Sequence, residues 1–354
     1  MGENFIVNHE EPLNRQFASD NYSGICPEAW TAFENCNIGH SRGYGEDTWT
    51  ESVANQIRDI FETDCQVYFV FNGTAANSLS LSSMCQSYHS ILCHKYAHLE
   101  RDECGAPEFF SNGAKVILLE GENGKLNSSA IESEILKRND LHYPKPRAIS
   151  LTQATEFGTV YSVEELQSIH EMTRKHGLLL HMDGARFANA VTALGIQPKE
   201  ITWKAGVDVL CFGGTKNGIG IGEAVVFFNQ ELAHEFDYRC KQSGQLASKM
   251  RFLSAPWIGL LKNDTWLKNA NHSNEMAKKL DSRIREISEI KVLFPCQANS
   301  IFAAIPKNIV EKMYRKGWIF YNFIGEDGYR LMCSWDTQEE DVDRLIADFK
   351  SCLK

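Results

Sequence analysis

The sequence predicts an α/β protein built on a mainly parallel sheet, with a smaller α+β portion toward the C-terminus. Three observations carry that expectation. Short apolar runs of strand length alternate with amphipathic stretches over the first two-thirds of the chain, the pattern of a parallel sheet covered on both faces. Two motif-bearing strand ends, at Asp183 and Lys216, lie 33 positions apart, which leaves room for one helical crossover between parallel strands. After Pro256 the pattern changes to one long charged helix followed by shorter strands.

In chain order, residues 1 to 15 read as an extended polar arm. Strands are expected at Val67–Phe71, Ile91–Cys93, Val116–Leu119, Ala148–Leu151, Leu178–Met182, Val209–Phe212 and Ala224–Phe228. Helices are expected between them at Ala75–Cys85, Ser129–Lys137, Val163–His176 and Pro198–Ala205. The run Ser162-Val163-Glu164-Glu165 opens the third of these as a capping box, a serine with a glutamate three residues on. Beyond Pro256 the expected elements are a helix over about 265–287, strands near Ser300–Ala304 and Tyr329–Cys333, and an acidic-capped helix from Gln338 to about Leu353. These divide the chain into the arm, a large domain over 16–260 and a small one over 261–354.

Bulk properties narrow the function classes. A chain of 354 residues with 43% hydrophobic and 23% charged residues has an ordinary globular composition. Its net charge of −10 argues against a nucleic-acid partner, which favours a basic face. No apolar stretch is long enough to span a bilayer and no secretory signal is legible, so a cytoplasmic setting without membrane contact is expected. The 11 cysteines are scattered, odd in number and free of C-x-x-C pairs. They read as reduced thiols, and no metal site is expected.

The chemistry is concentrated in three segments. His181-Met182-Asp183-Gly184-Ala185-Arg186 puts an acid at the end of an apolar run, and Gly213-Gly214-Thr215-Lys216-Asn217-Gly218 puts a lone lysine after another. An aspartate and a lysine at neighbouring strand ends are what pyridoxal phosphate needs: the carboxylate keeps the ring nitrogen protonated, and the amine bonds to the aldehyde. Asn72-Gly73-Thr74 follows a strand and opens a helix, a setting for a phosphate. Arg186, three residues after Asp183, is open to two readings, an ion pair with Asp183 or recognition of a substrate carboxylate. The glycines around Lys216 read as a tight loop packed under a ligand.

Taken in order, these segments resemble the threonine aldolase group of the β-eliminating lyases. The resemblance rests on Ser19-Asp20-Asn21, Gly43-Tyr44-Gly45-Glu46-Asp47, Asn72-Gly73-Thr74, the Cys93–Glu108 stretch with His98, His181–Arg186, Thr215-Lys216, and Arg330 before Trp335-Asp336. It implies the aspartate-aminotransferase type (fold type I) of pyridoxal-phosphate fold and cleavage of an L-β-hydroxy-α-amino acid to glycine and an aldehyde. It further implies that Lys216 holds the cofactor covalently, Asp183 pairs with the ring nitrogen, Gly73 and Thr74 hold the phosphate, and His98 stacks on the ring, with His94 as a competitor. Ser19, Arg186 and Arg330 would clamp the substrate carboxylate. Tyr44 would reach in from a neighbouring subunit of a homo-oligomer, a tetramer formed as a dimer of dimers. One of Arg239, Lys241, Lys249 and Arg251 would add a phosphate contact. One departure stands out: where such proteins carry a second histidine, this chain has Thr155. The base for the β-hydroxyl is therefore open among Thr155, Glu156, His98 and a neighbour's His40. β-Elimination or racemisation with the same cofactor, and a binding protein without turnover, are the competing readings.

Overall fold

A computed structural model describes residues 14–353. The expected arm therefore lies outside the described residues apart from Asn14 and Arg15. Every apolar run named above forms a strand: β1 (Gln66–Val70), β2 (His89–His94), β3 (Lys115–Leu119), β4 (Lys145–Thr152), β5 (Leu179–Gly184), β6 (Val209–Phe212) and β7 (Glu223–Phe227). They make one sheet in the order β1-β7-β6-β5-β4-β2-β3. β2 to β6 and β3 run parallel to their neighbours, and only β7 opposes β1 and β6. β6 and β7 are therefore joined by a short return loop in place of a helical crossover, and that loop carries Lys216.

The helices cover both faces. Ser162 accepts from the Glu165 amide while the Glu165 carboxylate accepts from the Ser162 amide, the capping box that starts the helix Val163–His176. The helix Gly73–Met84 buries nearly all its residues between the sheet and neighbouring helices, so Ser80, Ser82 and Ser83 satisfy their hydroxyls on backbone carbonyls of the preceding turn. The helix expected over 198–205 is instead two 3₁₀ turns, Pro198–Ile201 and Trp203–Ala205. Thr202 interrupts them with φ −122° and ψ −113° while its hydroxyl donates to the Pro198 carbonyl.

A second sheet joins β8 (Lys291–Val292), β9 (Ser300–Ala304), β10 (Tyr321–Ile324) and β11 (Gly328–Met332), antiparallel throughout, in the order β10-β11-β9-β8. It closes its own apolar core with the C-terminal helix Glu339–Cys352 and one side of the helix Thr265–Ile284. The helix Arg251–Leu261 runs through Pro256, where the sequence pattern changes character. Gly259 lets it lie against the helix Pro27–Asn35, because a Cβ there would come within 2.0 Å of the Glu28 carbonyl. The Phe17 carbonyl accepts from the Met332 amide, which brings Ser19–Asn21 to the junction of the two sheets. Among the described residues no helix is long and apolar enough to cross a membrane.

Candidate active site

The C-terminal ends of β1, β5 and β6 surround a cavity of about 250 Å³ lined by Asn21, Asn72, Gly73, Thr74, Asn77, His98, Asp183, Thr215, Lys216 and Glu223, among others. This is the crevice at strand carboxyl ends where open α/β sheets bind ligands. Larger depressions elsewhere share none of these residues, so size does not mark the site here.

Each wall has a local cause. Asn72 caps the helix Gly73–Met84 by accepting from the Ala75 amide at 2.9 Å. The amides of Gly73 and Thr74 have no partner among the described residues, and the space where a Gly73 Cβ would sit is empty within 4 Å. Opposite, Asp183 ends β5, in register with Thr152 on β4 and Cys211 on β6. Its Oδ1 accepts from the Ala185 amide at 3.0 Å, and its Oδ2 accepts from Asn77 Nδ2 at 3.0 Å. Burial works against the Asp183 carboxylate, but His98, the Ala185 amide and Lys216 outweigh it and hold its carboxyl below the ordinary value.

Asn77 also donates to Glu103 Oε1 at 2.8 Å, and the same oxygen accepts from His98 Nδ1 at 2.8 Å. One side-chain amide thus separates two buried carboxyl groups, leaving Glu103 Oε2 and Asn77 Oδ1 without partners. Burial pushes the Glu103 carboxyl up. Burial also opposes the His98 imidazolium, yet the Glu103 hydrogen bond and the charges of Asp183 and Glu156 prevail and raise it. Both shifts act in one direction: they keep a proton in the pair. His94, the competing histidine, is excluded by its bonds. Its Nε2 is taken by the Gly121 carbonyl and its Nδ1 by the Tyr96 amide, and it does not line the cavity.

Lys216 stands in the 3₁₀ turn Thr215–Asn217. Its amine makes no hydrogen bond or ion pair with the described residues, so it is free to react. The loop beneath it is crowded: a Cβ on Gly213 would lie 2.4 Å from the Ala185 carbonyl oxygen, and one on Gly214 would lie 2.5 Å from the Trp257 ring. Glu223, at the start of β7, anchors the same loop by accepting from the Gly214 amide at 2.6 Å.

Arg186 does not pair with Asp183, the first of the two partners expected of it from sequence. The Asp183 partnership is corrected: the guanidinium donates to both oxygens of Asp20, Nε at 2.7 Å and Nη2 at 2.9 Å, and Nη2 also reaches Met332 Sδ. The reason is reach. Asp183 points at Asn77 and its own strand end, whereas the 3₁₀ turn Asp20–Tyr22 delivers Asp20 to the far side of the arginine. Ser19 Oγ caps that turn by accepting from the Asn21 amide, and Asn21, not Ser19, lines the cavity. Arg330, on β11, stacks 5.1 Å from the Phe323 ring and leaves a buried Nε without a partner. Burial and the neighbouring Arg186 both disfavour its charge, which marks it as a cation awaiting an anion.

The remaining residues named from sequence do not line this cavity. Tyr44 is 53% exposed, with φ 59° and the Lys241 ammonium 4.7 Å from its ring. Arg239 bonds Ser82, Arg251 bonds Ser41, and Lys249 and His40 are exposed. Thr155 is buried among Thr159, Asn123 and the Phe157 amide. Sequence reading missed Asn77, Glu103, Asp20 and Glu223 as site groups. Asn77 is one helical turn beyond Gly73 and Glu103 five residues beyond His98, spacings that already put both near the named residues.

Against this geometry, comparison with known proteins is decisive. The Beta-eliminating lyase family matches residues 16–306. The chain belongs to that family. It is 58% identical over 96% of its length, and 98% of the relative's, to the low specificity L-threonine aldolase of a Pseudomonas strain. It is 57% identical to the Pseudomonas aeruginosa protein of the same name over 95% of this chain and 97% of that one. A solved Leishmania major threonine aldolase superposes with TM-score 0.90 at 26% identity, covering 96% of this chain and all of that one. A histidinol-phosphate aminotransferase from Clostridium acetobutylicum, at 13% identity and TM-score 0.71, shares the fold alone. This member of the β-eliminating lyases thus has the fold-type I architecture.

Proposed function

We propose that the protein is a pyridoxal-phosphate-dependent aldolase that cleaves L-threonine, L-allo-threonine or related L-β-hydroxy-α-amino acids to glycine and an aldehyde. The observation that carries this reading is the convergence on one cavity of an unpartnered helix N-terminus, a carboxylate below its ordinary pKa and an uncommitted lysine. The donor set fits the cofactor. The Gly73 and Thr74 amides suit a phosphate, Asp183 suits a protonated ring nitrogen, Lys216 suits the aldehyde, and His98 forms a wall beside the ring position. When bound, the cofactor supplies an electron sink for the bond that breaks at Cα.

The chain's own residues do the rest. Arg330 offers its free Nε to the substrate carboxylate, while Asp20 holds Arg186 in place beside it. That clamp sets which bond at Cα stands perpendicular to the ring. Asn77 keeps Asp183 and Glu103 apart, so the charge beneath the ring stays on Asp183 and a proton stays within the His98–Glu103 pair. Tyr44, exposed and outside its own cavity, supports assembly as a homo-oligomer in which it completes a neighbour's site, with a dimer-of-dimers tetramer as the form. The eleven free thiols support a cytoplasmic setting.

The test is an absorbance spectrum of the purified protein before and after glycine, followed by product analysis with threonine and phenylserine. A visible band abolished in Lys216→Ala, a new long-wavelength band with glycine, and glycine plus aldehyde as products are expected. Ammonia and a keto acid in place of glycine would overturn the aldolase reading in favour of β-elimination.

A further inference from the structure

β4 ends in register with Asp183, and the Gln153 amide donates to the Asp183 carbonyl, so the turn that follows starts at the rim of the cavity. Its residues are Thr155-Glu156-Phe157-Gly158, closed by the Gly158 amide on the Thr155 carbonyl at 2.9 Å. Both neighbours of Glu156 are immobilised. Thr155 Oγ1 bonds Thr159 at 2.8 Å and the Asn123 carbonyl at 3.3 Å. Phe157 stacks on Phe294 at 4.3 Å between centroids and packs on Tyr96 and Phe302. Gly158, with φ +72°, is pressed against Ser300 of β9 and accepts from the Gln297 and Ala298 amides. The backbone of Glu156 is thereby pinned from both sheets.

Its side chain is the exception. Glu156 is half-buried and makes no hydrogen bond or ion pair with any described residue. Its charge nonetheless acts on His98, which lines the cavity, and on Arg186 after β5 and Arg330 of β11, the two arginines read as the substrate clamp. Asp102 also acts on Arg330. A carboxylate on a rigid mount, with no hydrogen-bond or ion-pair partner among the described residues, has two properties a general base needs: it is held in place and is not already used as an acceptor. Two of the other groups that the sequence leaves open are committed within this chain: Thr155 spends its hydroxyl on structure, and His98 gives Nδ1 to Glu103.

We propose that Glu156 is the base that removes the β-hydroxyl proton, taking the place of the imidazole that this chain lacks. The proposal rests on the aldolase reading. In the step, the substrate O–H bond breaks and its proton goes to a Glu156 carboxylate oxygen. The O–H pair becomes the second C–O bond of the aldehyde. The Cα–Cβ pair would pass to the electron sink that the cofactor supplies when bound. The glycine carbon takes up one proton later, so that none is gained or lost overall.

The experiment compares two rates in the holoenzyme: cleavage of L-threonine, which needs β-hydroxyl deprotonation, and exchange of the glycine α-proton in D₂O, which does not. In Glu156→Gln the cofactor band and the exchange rate are expected to stay within threefold of the parent. Cleavage kcat is expected to fall by about 10²–10⁴-fold, the range for loss of a general base. Glu156→Asp, with the carboxylate one methylene shorter, is expected to recover at least tenfold of the lost cleavage. A cleavage-to-exchange ratio that changes less than tenfold in Glu156→Gln overturns the proposal, as does a Glu156→Asp no better than the glutamine variant. If the parent protein itself neither exchanges glycine nor cleaves threonine, the aldolase reading fails and not merely the assignment of its base.

Discussion

Replacing Asp20 by asparagine keeps the shape of the residue and removes its charge, and the structure sets the size of the effect. Asp20 and Arg186 are 1% and 7% exposed, joined by two hydrogen bonds, with Asn299 Nδ2 a third donor to Asp20 at 3.0 Å. Burial disfavours the Asp20 carboxylate, but Arg186 and Lys216 overcome it and lower its pKa from 3.8 to about 2. At about 1.4 kcal/mol per pKa unit this is on the order of 2 kcal/mol of folding stability. The sign follows from the lowered value. The contribution is complete above pH 3.8 and is lost as pH falls through about 2. The substitution costs more than that, because it strands a buried guanidinium beside Arg330, and breaking a buried pair from one side costs roughly 3–5 kcal/mol. With an unfolding entropy of about 2 cal/mol/K per residue, that is a fall in Tm of about 4–7 °C for a chain of 354 residues. The assay is thermal unfolding at one scan rate, at pH 7, of Asp20→Asn, Arg186→Met and the double variant. The double variant is expected to be more stable than Asp20→Asn, since the stranded charge is gone. A single variant within 1 °C of the parent, or a double variant showing simple additivity, would refute the account of Arg186 as a charge held by Asp20.

Three further outcomes are expected. Asn77→Ala removes a donor shared by two buried carboxyl groups, an interaction of about 1.5–3 kcal/mol, and should weaken pyridoxal phosphate binding by about ten- to a hundredfold in titrations of the apoprotein. Glu103→Gln removes the partner that raises His98, so the His98 pKa measured by NMR should drop, and any stability held by the protonated pair should be lost at lower pH than in the parent. Gly213→Ala drives a Cβ into the Ala185 backbone and should lower cofactor occupancy along with Tm, whereas Gly244→Ala, where nothing lies within 4 Å, serves as a control for backbone strain alone at its φ of +76°.

The strands were the most legible part of the fold, because each carries an apolar run: β2 and β7 have no residue outside the interior, while β1 and the edge strand β3 are only partly buried. The helix Val163–His176 was legible to the residue, since its capping box and Gly177 mark both ends. The helix Arg251–Leu261 was not. Pro256 argues for a break, and the helix persists because its flank is buried against Pro27–Asn35 through Gly259, a contact no local pattern announces. The thin strands β8 and β10 were missed for want of any run of length. In the site, Asp183, Lys216, Gly73 and Thr74 were readable because each stands at a strand end or helix start that the apolar pattern already located. Asp20 and Glu103 were not, since what defines them is the cation they face, and those cations arrive from 166 positions away in one case and from a separate short helix in the other.

The return of β7 antiparallel to β6 has a consequence for how this enzyme can change. Lys216 rides on a loop stitched to the sheet at both ends and pegged near its start by Glu223 through the Gly214 amide, so the loop has no slack to absorb an inserted or deleted residue. Variation in its length among functioning descendants of this chain should be close to nil. The turn at residues 155–158 leaves β4 beside Asp183 and lies outside the large sheet's hydrogen-bond ladder. A laboratory selection for new aldehyde side chains should therefore enrich changes in that turn and leave the lysine loop untouched.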